Sequence, residues 1–212
     1  MREQEIRSWI KSLGAAFRTP RPPIETFALK ERFEREDISG LVTLVAKSMK
    51  LDMRLRIGYV RSGGPEKASA WIMNLDTVPM FGTEAFRRWM ATICIRKDFL
   101  KVAPFEAVTF AIAHELSHIV LSSTHHPLKK VEEAVDLGAM FLGYRDIFVD
   151  GAEYSIPGDF ESAFKFLEES PFETMLKNVD TVIGKALATT GVLGYMSRDE
   201  YEFARDLMAK MR

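Results

Sequence analysis

This sequence of 212 residues has one cysteine and almost equal numbers of basic and acidic residues. It also has no long apolar run. The single cysteine, Cys94, excludes an internal disulfide bond and favours a reducing compartment, so we expect a cytoplasmic protein. We expect no secretion signal and no membrane span, because the first residues are charged and no apolar run approaches about 18 residues. With 29 basic and 30 acidic residues, the charge balance argues against a nucleic-acid partner or an anionic membrane surface.

Histidine is also rare, and two of the four histidines stand in the pattern His-Glu-x-x-His, from His114 to His118. Residues four apart share one face of a helix, so both imidazoles can reach one zinc ion. Glu115 is one residue along, where it can take a proton from a water molecule at the metal. The pattern therefore predicts His114 and His118 as zinc ligands and Glu115 as the general base.

The residues around this pattern predict a buried helix over 105–122. Pro104 and Glu106 suit the first turn of a helix, and the segment that follows is apolar almost all round, which is typical of a buried helix. The two histidines and the glutamate are its only strongly polar groups. Burying them without partners is costly, and one metal ion would partner all three. A metal-free core in which Glu115 pairs with the two histidines is the alternative.

A catalytic zinc site needs a third protein ligand, with the fourth position open to water. His125 and His126 follow the predicted helix. The metzincin spacing would require glycine at Leu121 and histidine at Thr124, so the pattern fails at both positions. An exposed loop is therefore the favoured interpretation of His125 and His126.

The other source of a ligand is a second predicted helix, from Val131 to near Gly143. Glu132 and Asp136 are four residues apart and share a face of this helix. Glu132 can bind zinc while Asp136 accepts a hydrogen bond from the second nitrogen of a ligand histidine. Glu132 is thus the favoured third ligand, with Glu133 and then a histidine as the remaining candidates.

With this arrangement the chain resembles the gluzincin zinc metallopeptidases, whose His-Glu-x-x-His is followed by Glu-x-x-x-Asp on another helix. The matching residues are His114, Glu115, His118, Glu132 and Asp136. The resemblance implies one zinc ion per chain, the first glutamate as base and the second as third ligand.

Within that group the chain is most similar to small peptidases of the minigluzincin type, in which a strand and a short connector precede the His-Glu-x-x-His helix. The similarity covers about residues 90–143. Val135 stands where alanine often precedes the aspartate of the family, and the membrane-spanning helices of some members have no counterpart here.

The whole sequence predicts one α+β domain over residues 1–212, mostly helical and zincin-like, with about three strands packed on the His-Glu-x-x-His helix. It comprises an N-terminal helix and proline-rich linker (1–23), a sheet and metal-site core (36–143) and C-terminal helices (159–212). The C-terminal helical segments are predicted at 159–169, about 171–188 and 197–211, and the last two begin at capping boxes, Ser170 with Glu173 and Ser197 with Glu200. The apolar face of the N-terminal helix favours docking on the body of the domain. Strands are predicted at Met53–Val60, Ala68–Asn74 and Ala91–Arg96, and the turn at 61–66 suggests that the first two form a hairpin.

The predicted function is that of a zinc-dependent metallopeptidase, an endopeptidase that hydrolyses a peptide or protein substrate. An edge strand of the sheet would pair with the extended substrate. The donor that stabilises the oxyanion stays open among Tyr144, Arg145, Tyr154 and Tyr195. The alternative function is a zinc-binding regulatory or interaction domain of the same fold with little or no general proteolytic activity.

Overall fold

The computed structural model describes residues 2–61, 68–156 and 189–211. It is an α+β fold, mostly helical, with one three-stranded mixed sheet, as the sequence predicts. In these ranges no helix has both the length and the apolar character needed to cross a membrane. The helices predicted at 159–169 and 171–188 lie outside the described residues.

The described elements are labelled here in chain order. They are α1 (Glu3–Phe17), α2 (Phe27–Glu34), α3 (Ile38–Ser48), β1 (Arg54–Val60), β2 (Ala70–Met73), α4 (Glu84–Arg88), β3 (Met90–Arg96), α5 (Lys97–Val102), α6 (Phe105–Ser123), α7 (Glu132–Ala139), α8 (Arg145–Gly151), β4 (Glu153–Ile156), β5 (Thr189–Val192) and α9 (Arg198–Ala209). A π-helical turn at Met140–Tyr144 joins α7 to α8.

The three-stranded sheet has the order β1-β3-β2, with β1 parallel and β2 antiparallel to β3. The predicted hairpin of the first two strands is therefore wrong, because β3 lies between them. Ile93 and Ile95 of β3 are almost fully buried, and a central position covers such a strand on both edges. This order leaves β2 as an edge strand, in contact with α6.

Helix α1 docks on the body of the protein, as its apolar stripe predicts. It buries Ile6, Ile10 and Leu13 and contacts α7 and α9. The linker that follows is also bound, because the N–H groups of Arg21 and Ile24 donate to oxygens of the π-helical turn at 2.9 and 3.1 Å. The start of the chain is thus connected to the helix that carries Glu132.

Two further elements border the region around α6 and α7. Strands β4 and β5 form a separate antiparallel pair that the sequence does not predict. Helix α9 begins at the predicted capping box, in which the Ser197 side chain and the Glu200 side chain each accept from the other residue's N–H. The segment between β5 and α9 contains Tyr195, which lies close to the histidines of α6.

Candidate metal centre

Helix α6 is buried along nearly its whole length and presents its two histidines on one face. His114 and His118 are one helical turn apart, with ring centroids separated by 4.8 Å. Both side chains are nearly buried, at 9% and 11% exposure. The observed helix ends one residue beyond the predicted range of 105–122. The agreement is close because Pro104 marks the start of the helix and the apolar run marks its length.

Helix α7 reaches these histidines because it packs unusually closely on α6. A Cβ atom at Gly138 would lie 2.6 Å from the Ser117 oxygen, so only glycine permits this approach without a shift. The Ser117 hydroxyl donates to the Val135 carbonyl oxygen at 2.9 Å and joins the two helices directly. The first residue of α7, Glu132, is thereby brought to the histidine face of α6.

Three potential ligand atoms converge at this point. His114 Nε2 lies 3.1 Å from His118 Nε2, and Glu132 Oε2 lies 3.4 Å from the first and 3.2 Å from the second. A tetrahedral zinc site with bonds of about 2.0–2.1 Å separates its ligand atoms by about 3.3 Å. The triangle therefore has the size of one face of a metal tetrahedron, and the three residues form a group that could hold a metal ion.

The hydrogen bonds around the triangle make it attractive to a cation. Asp136, which is fully buried, lies 2.6 Å from His114 Nδ1. The carboxylate accepts a hydrogen bond from Nδ1–H, so Nε2 is the nitrogen that faces the triangle and is left to bind a metal ion. Glu132 Oε2 is buried and is not aligned for a hydrogen bond with any described residue, although both imidazoles are near. The donor set of two imidazole nitrogens and one carboxylate oxygen suits zinc.

The pKa values at the centre show the same preference for positive charge. Burial by itself lowers the pKa of His114, but the charge and hydrogen bond of Asp136 and the contact with Glu132 raise it to about 10. The two imidazoles, His114 first, hold the pKa of Glu132 well below its usual range. The neighbouring carboxylates therefore stabilise a positive charge on the His114 imidazole.

Glu115 lies beside the group and points toward the edge strand. The main-chain N–H of Ile72 in β2 is close enough to its carboxylate to favour the charged form and oppose a rise in its pKa. Burial raises the pKa of Glu115 above its ordinary value, against the opposing effect of the nearby histidines. A buried carboxyl group with a raised pKa is well suited to exchange protons with a neighbouring molecule.

The remaining ligand candidates lie elsewhere. Glu133 turns away from the triangle and pairs with Arg2. His125 is exposed, as predicted, but the prediction is wrong for His126, which is buried against Phe17 with its Nδ1 accepting the Leu128 N–H. Of the possible third ligands, the structure brings Glu132 to the two histidines.

Of the four candidate oxyanion donors, Tyr195 is the one that lies at this site. Its ring stacks on the His114 ring, with centroids 5.7 Å apart and planes inclined by 24°. Tyr144 is buried against Ser48, and Tyr154 packs on Phe99. Arg145 is buried and donates to the Arg21 oxygen, near the linker.

The site opens into a cleft of about 650 Å³. One wall is the edge strand β2 with the two residues before it, and the other is the segment Val192–Tyr195. Arg96 donates its N–H to the Ser69 oxygen at 3.0 Å, so the alternation of the antiparallel ladder directs the main-chain groups of Ala70 and Ile72 away from β3. Outward main-chain groups of an edge strand can pair with an extended peptide.

One further residue of the site, Tyr201, has no evident signal in the sequence. Tyr201 donates its hydroxyl to Asp136 Oδ2 at 2.6 Å, and the Tyr195 N–H donates to the same oxygen at 3.1 Å. Asp136 therefore links His114 to both tyrosines. Only the packing of α9 on α8 and α1 brings Tyr201 to this position.

Comparison with known proteins adds no relative: the chain matches no family profile, no curated protein and no solved structure. The similarity to gluzincins therefore stays a prediction from five residues and their spacing.

Proposed function

We propose that this protein is a zinc-dependent metallopeptidase with a zincin-like fold, which hydrolyses peptide bonds in the cleft between β2 and Val192–Tyr195. The strongest support is that three potential ligand atoms converge with the spacing of a tetrahedral metal site. A separate carboxylate, Glu115, lies beside them in the same cleft. A purely structural metal site is usually closed by a fourth protein ligand. In the group formed here, the described residues supply three.

His114, His118 and Glu132 are the residues that would hold the zinc ion. Bound zinc would supply an acidified water molecule and would polarise the carbonyl group of the scissile bond. The Asp136 hydrogen bond to Nδ1 keeps His114 in the tautomer and orientation that ligation requires.

Glu115 is the proposed general base and acid. It takes the proton of the attacking water and passes it to the amine nitrogen of the leaving group, so the carboxylate is regenerated. The position of Glu115 beside Ile72 supports this role, because β2 then borders both the base and, through its outward groups, the proposed substrate backbone.

Tyr195 is the proposed donor to the oxyanion. Its half-exposed side chain lines the cleft and lies against the ligand His114. Burial and the surrounding carboxylates raise the pKa of the Tyr195 hydroxyl, so it keeps its proton at neutral pH and can donate it in a hydrogen bond.

The substrate is proposed to be an extended peptide that adds to the β2 edge. The outward N–H and C=O groups of Ala70 would bind its main chain, and the apolar cleft residues Leu75, Phe110 and Leu193 would contact its side chains. The cytoplasmic location inferred from the single cysteine remains a prediction.

The test combines metal analysis with a screen of quenched fluorescent peptides. We expect about one zinc per chain, and cleavage of some peptides that Glu115→Gln abolishes without loss of zinc. Glutamine has nearly the size and shape of glutamate, so this variant removes the base and little else. A zinc-loaded wild type that cleaves nothing would contradict the proposal and favour a regulatory zinc domain.

A further inference from the structure

The guanidinium group of Arg2 joins three segments around the candidate metal centre. Nη1 lies 2.5 Å from Glu133 Oε1 on α7, and Nη2 donates to the main-chain oxygen of Tyr195 at 3.1 Å. Nε lies 3.5 Å from Glu200 Oε1 in the cap of α9, and the Arg2 main-chain N–H donates to the same oxygen at 3.1 Å. One residue before α1 thus connects the helix of Glu132, the segment of Tyr195 and the start of α9.

The main chain of Tyr195 is held from two sides. Its N–H donates to Asp136, and its oxygen accepts from Arg2. The residue before it, Gly194, has φ +80°, and a Cβ there would collide with the Tyr201 hydroxyl. The segment therefore turns sharply into the site, with Arg2 bound to the Tyr195 carbonyl oxygen and the Tyr195 ring stacked on His114.

The contacts of Arg2 suit positioning more than overall stability. Its side chain is 41% exposed, and ion pairs that water can reach contribute little to the free energy of folding. A planar guanidinium group with several fixed donors can nevertheless define the relative placement of its acceptors, which a lysine cannot reproduce.

We propose that Arg2 is a positioning residue of the peptidase: by clamping the Tyr195 carbonyl to Glu133 and Glu200, it holds the Tyr195 ring against His114 and its hydroxyl in the cleft. This inference rests on the proposed function for its catalytic consequence. The placement of Tyr195 itself can be measured without metal or substrate.

The first experiment measures that placement by NMR with ¹³C-labelled tyrosine. The chain has five tyrosines, and the ring signal of Tyr195 is assigned by its loss in Tyr195→Phe. In Arg2→Ala we expect this signal to move toward that of an exposed tyrosine while the Tyr201 signal stays. We also expect amide exchange over 193–196 to accelerate by about tenfold or more. Unchanged signals and exchange would overturn the proposal whether or not the protein is a peptidase.

The second experiment uses a peptide cleaved in the screen above and compares Arg2→Ala, Tyr195→Phe and the double variant. We expect Arg2→Ala to lower kcat about 5- to 10-fold and to change KM by less than about twofold. Complete loss of an oxyanion donor lowers kcat about 10²-fold, and Arg2→Ala should cost less because it only displaces the Tyr195 hydroxyl. In the Tyr195→Phe background, Arg2→Ala should have no further effect on kcat. Additive losses would show that Arg2 does not act through Tyr195 and would overturn the catalytic part.

Two matched variants complete the design. Arg7→Ala removes another arginine at the start of the chain, one that pairs with Glu3 and lies over the Phe203 ring; it should leave the Tyr195 signal and kcat unchanged. Arg2→Lys keeps the charge but not the fork and should give an intermediate signal and kcat. If no peptide is cleaved, the proposed function fails, while the NMR comparison still decides whether Arg2 positions Tyr195.

Discussion

Asp136 binds His114 through a 2.6 Å hydrogen bond between a fully buried carboxylate oxygen and imidazole Nδ1. The other oxygen of the same carboxylate accepts from the Tyr201 hydroxyl and the Tyr195 N–H. Asp136 is therefore the point at which the proposed metal ligands, the proposed oxyanion donor and helix α9 meet. Its removal should affect the metal and the tyrosine side of the site together.

Asp136→Asn should weaken zinc binding about 10- to 100-fold, the usual cost of disturbing the partner of a ligand histidine. The amide oxygen can still accept from His114, but the amide NH₂ cannot accept from Tyr201 or Tyr195. Competition with a chromogenic chelator measures the affinity. Asp150→Asn, at an exposed position on α8, is the control and should bind zinc as the wild type does. Equal affinities for the two variants would contradict the role assigned to Asp136.

Glu132→Ala and Glu133→Ala should differ sharply in zinc content although they alter adjacent residues. Glu132 contributes an oxygen to the ligand triangle, whereas Glu133 pairs with Arg2. After dialysis against a weak chelator, we expect Glu132→Ala to have lost its zinc and Glu133→Ala to retain about one per chain. If Glu133→Ala alone lost its zinc, Glu133 rather than Glu132 would be the third ligand.

Zinc binding near pH 7 should release about one proton per ion. The pKa of His114 in the metal-free protein is raised from 6.5 to about 10, so the imidazole carries a proton at neutral pH that zinc must displace. Zinc affinity should therefore fall by about tenfold for each unit that the pH drops below this pKa.

Calorimetry in two buffers of different ionisation enthalpy counts the released protons. His125→Gln, which removes an exposed histidine outside the ligand group, should give the same count. A count of zero in the wild type would show that the metal-free His114 is already neutral.

The parts of the structure that local sequence determines were predicted well. The bounds of α6 follow from a continuous apolar run after a proline, and the approach of Glu132 to the histidines follows from two helical patterns a short loop apart. The cap of α9 was equally clear, since Ser197 and Glu200 have the spacing of a capping box.

The features that the sequence does not predict depend on contacts between residues that are far apart in the chain. The predicted hairpin used the turn at 61–66, but β3, which comes later in the sequence, pairs with both strands. Tyr195 could not be chosen among four candidates because its place depends on Asp136, 59 residues earlier. The sequence does not indicate a role for Arg2 for the same reason, because its partners Glu133 and Glu200 are distant in the sequence.

Gly138→Ala should test whether close packing of α7 on α6 positions Glu132. The new Cβ would lie 2.6 Å from the buried Ser117 oxygen, which can move only by giving up its bond to Val135. Overpacking of this kind costs about 1–3 kcal/mol, against a gain of about 0.5–1 kcal/mol for alanine in a helix. We expect a net loss of about 1 kcal/mol in urea unfolding, together with weaker zinc binding as α7 shifts.

The matched control is Gly14→Ala in α1, where the new Cβ would meet the flexible end of Met211 at 3.3 Å and the Phe141 ring at an ordinary contact distance of 3.9 Å. This variant should be neutral or slightly stabilising and should bind zinc normally. Adding Ser117→Ala to Gly138→Ala removes the colliding oxygen, so the pair should recover much of the lost zinc affinity and the two effects should be strongly non-additive. If Gly138→Ala alone binds zinc as tightly as the wild type, the close approach of the two helices is not what places Glu132 beside His114 and His118.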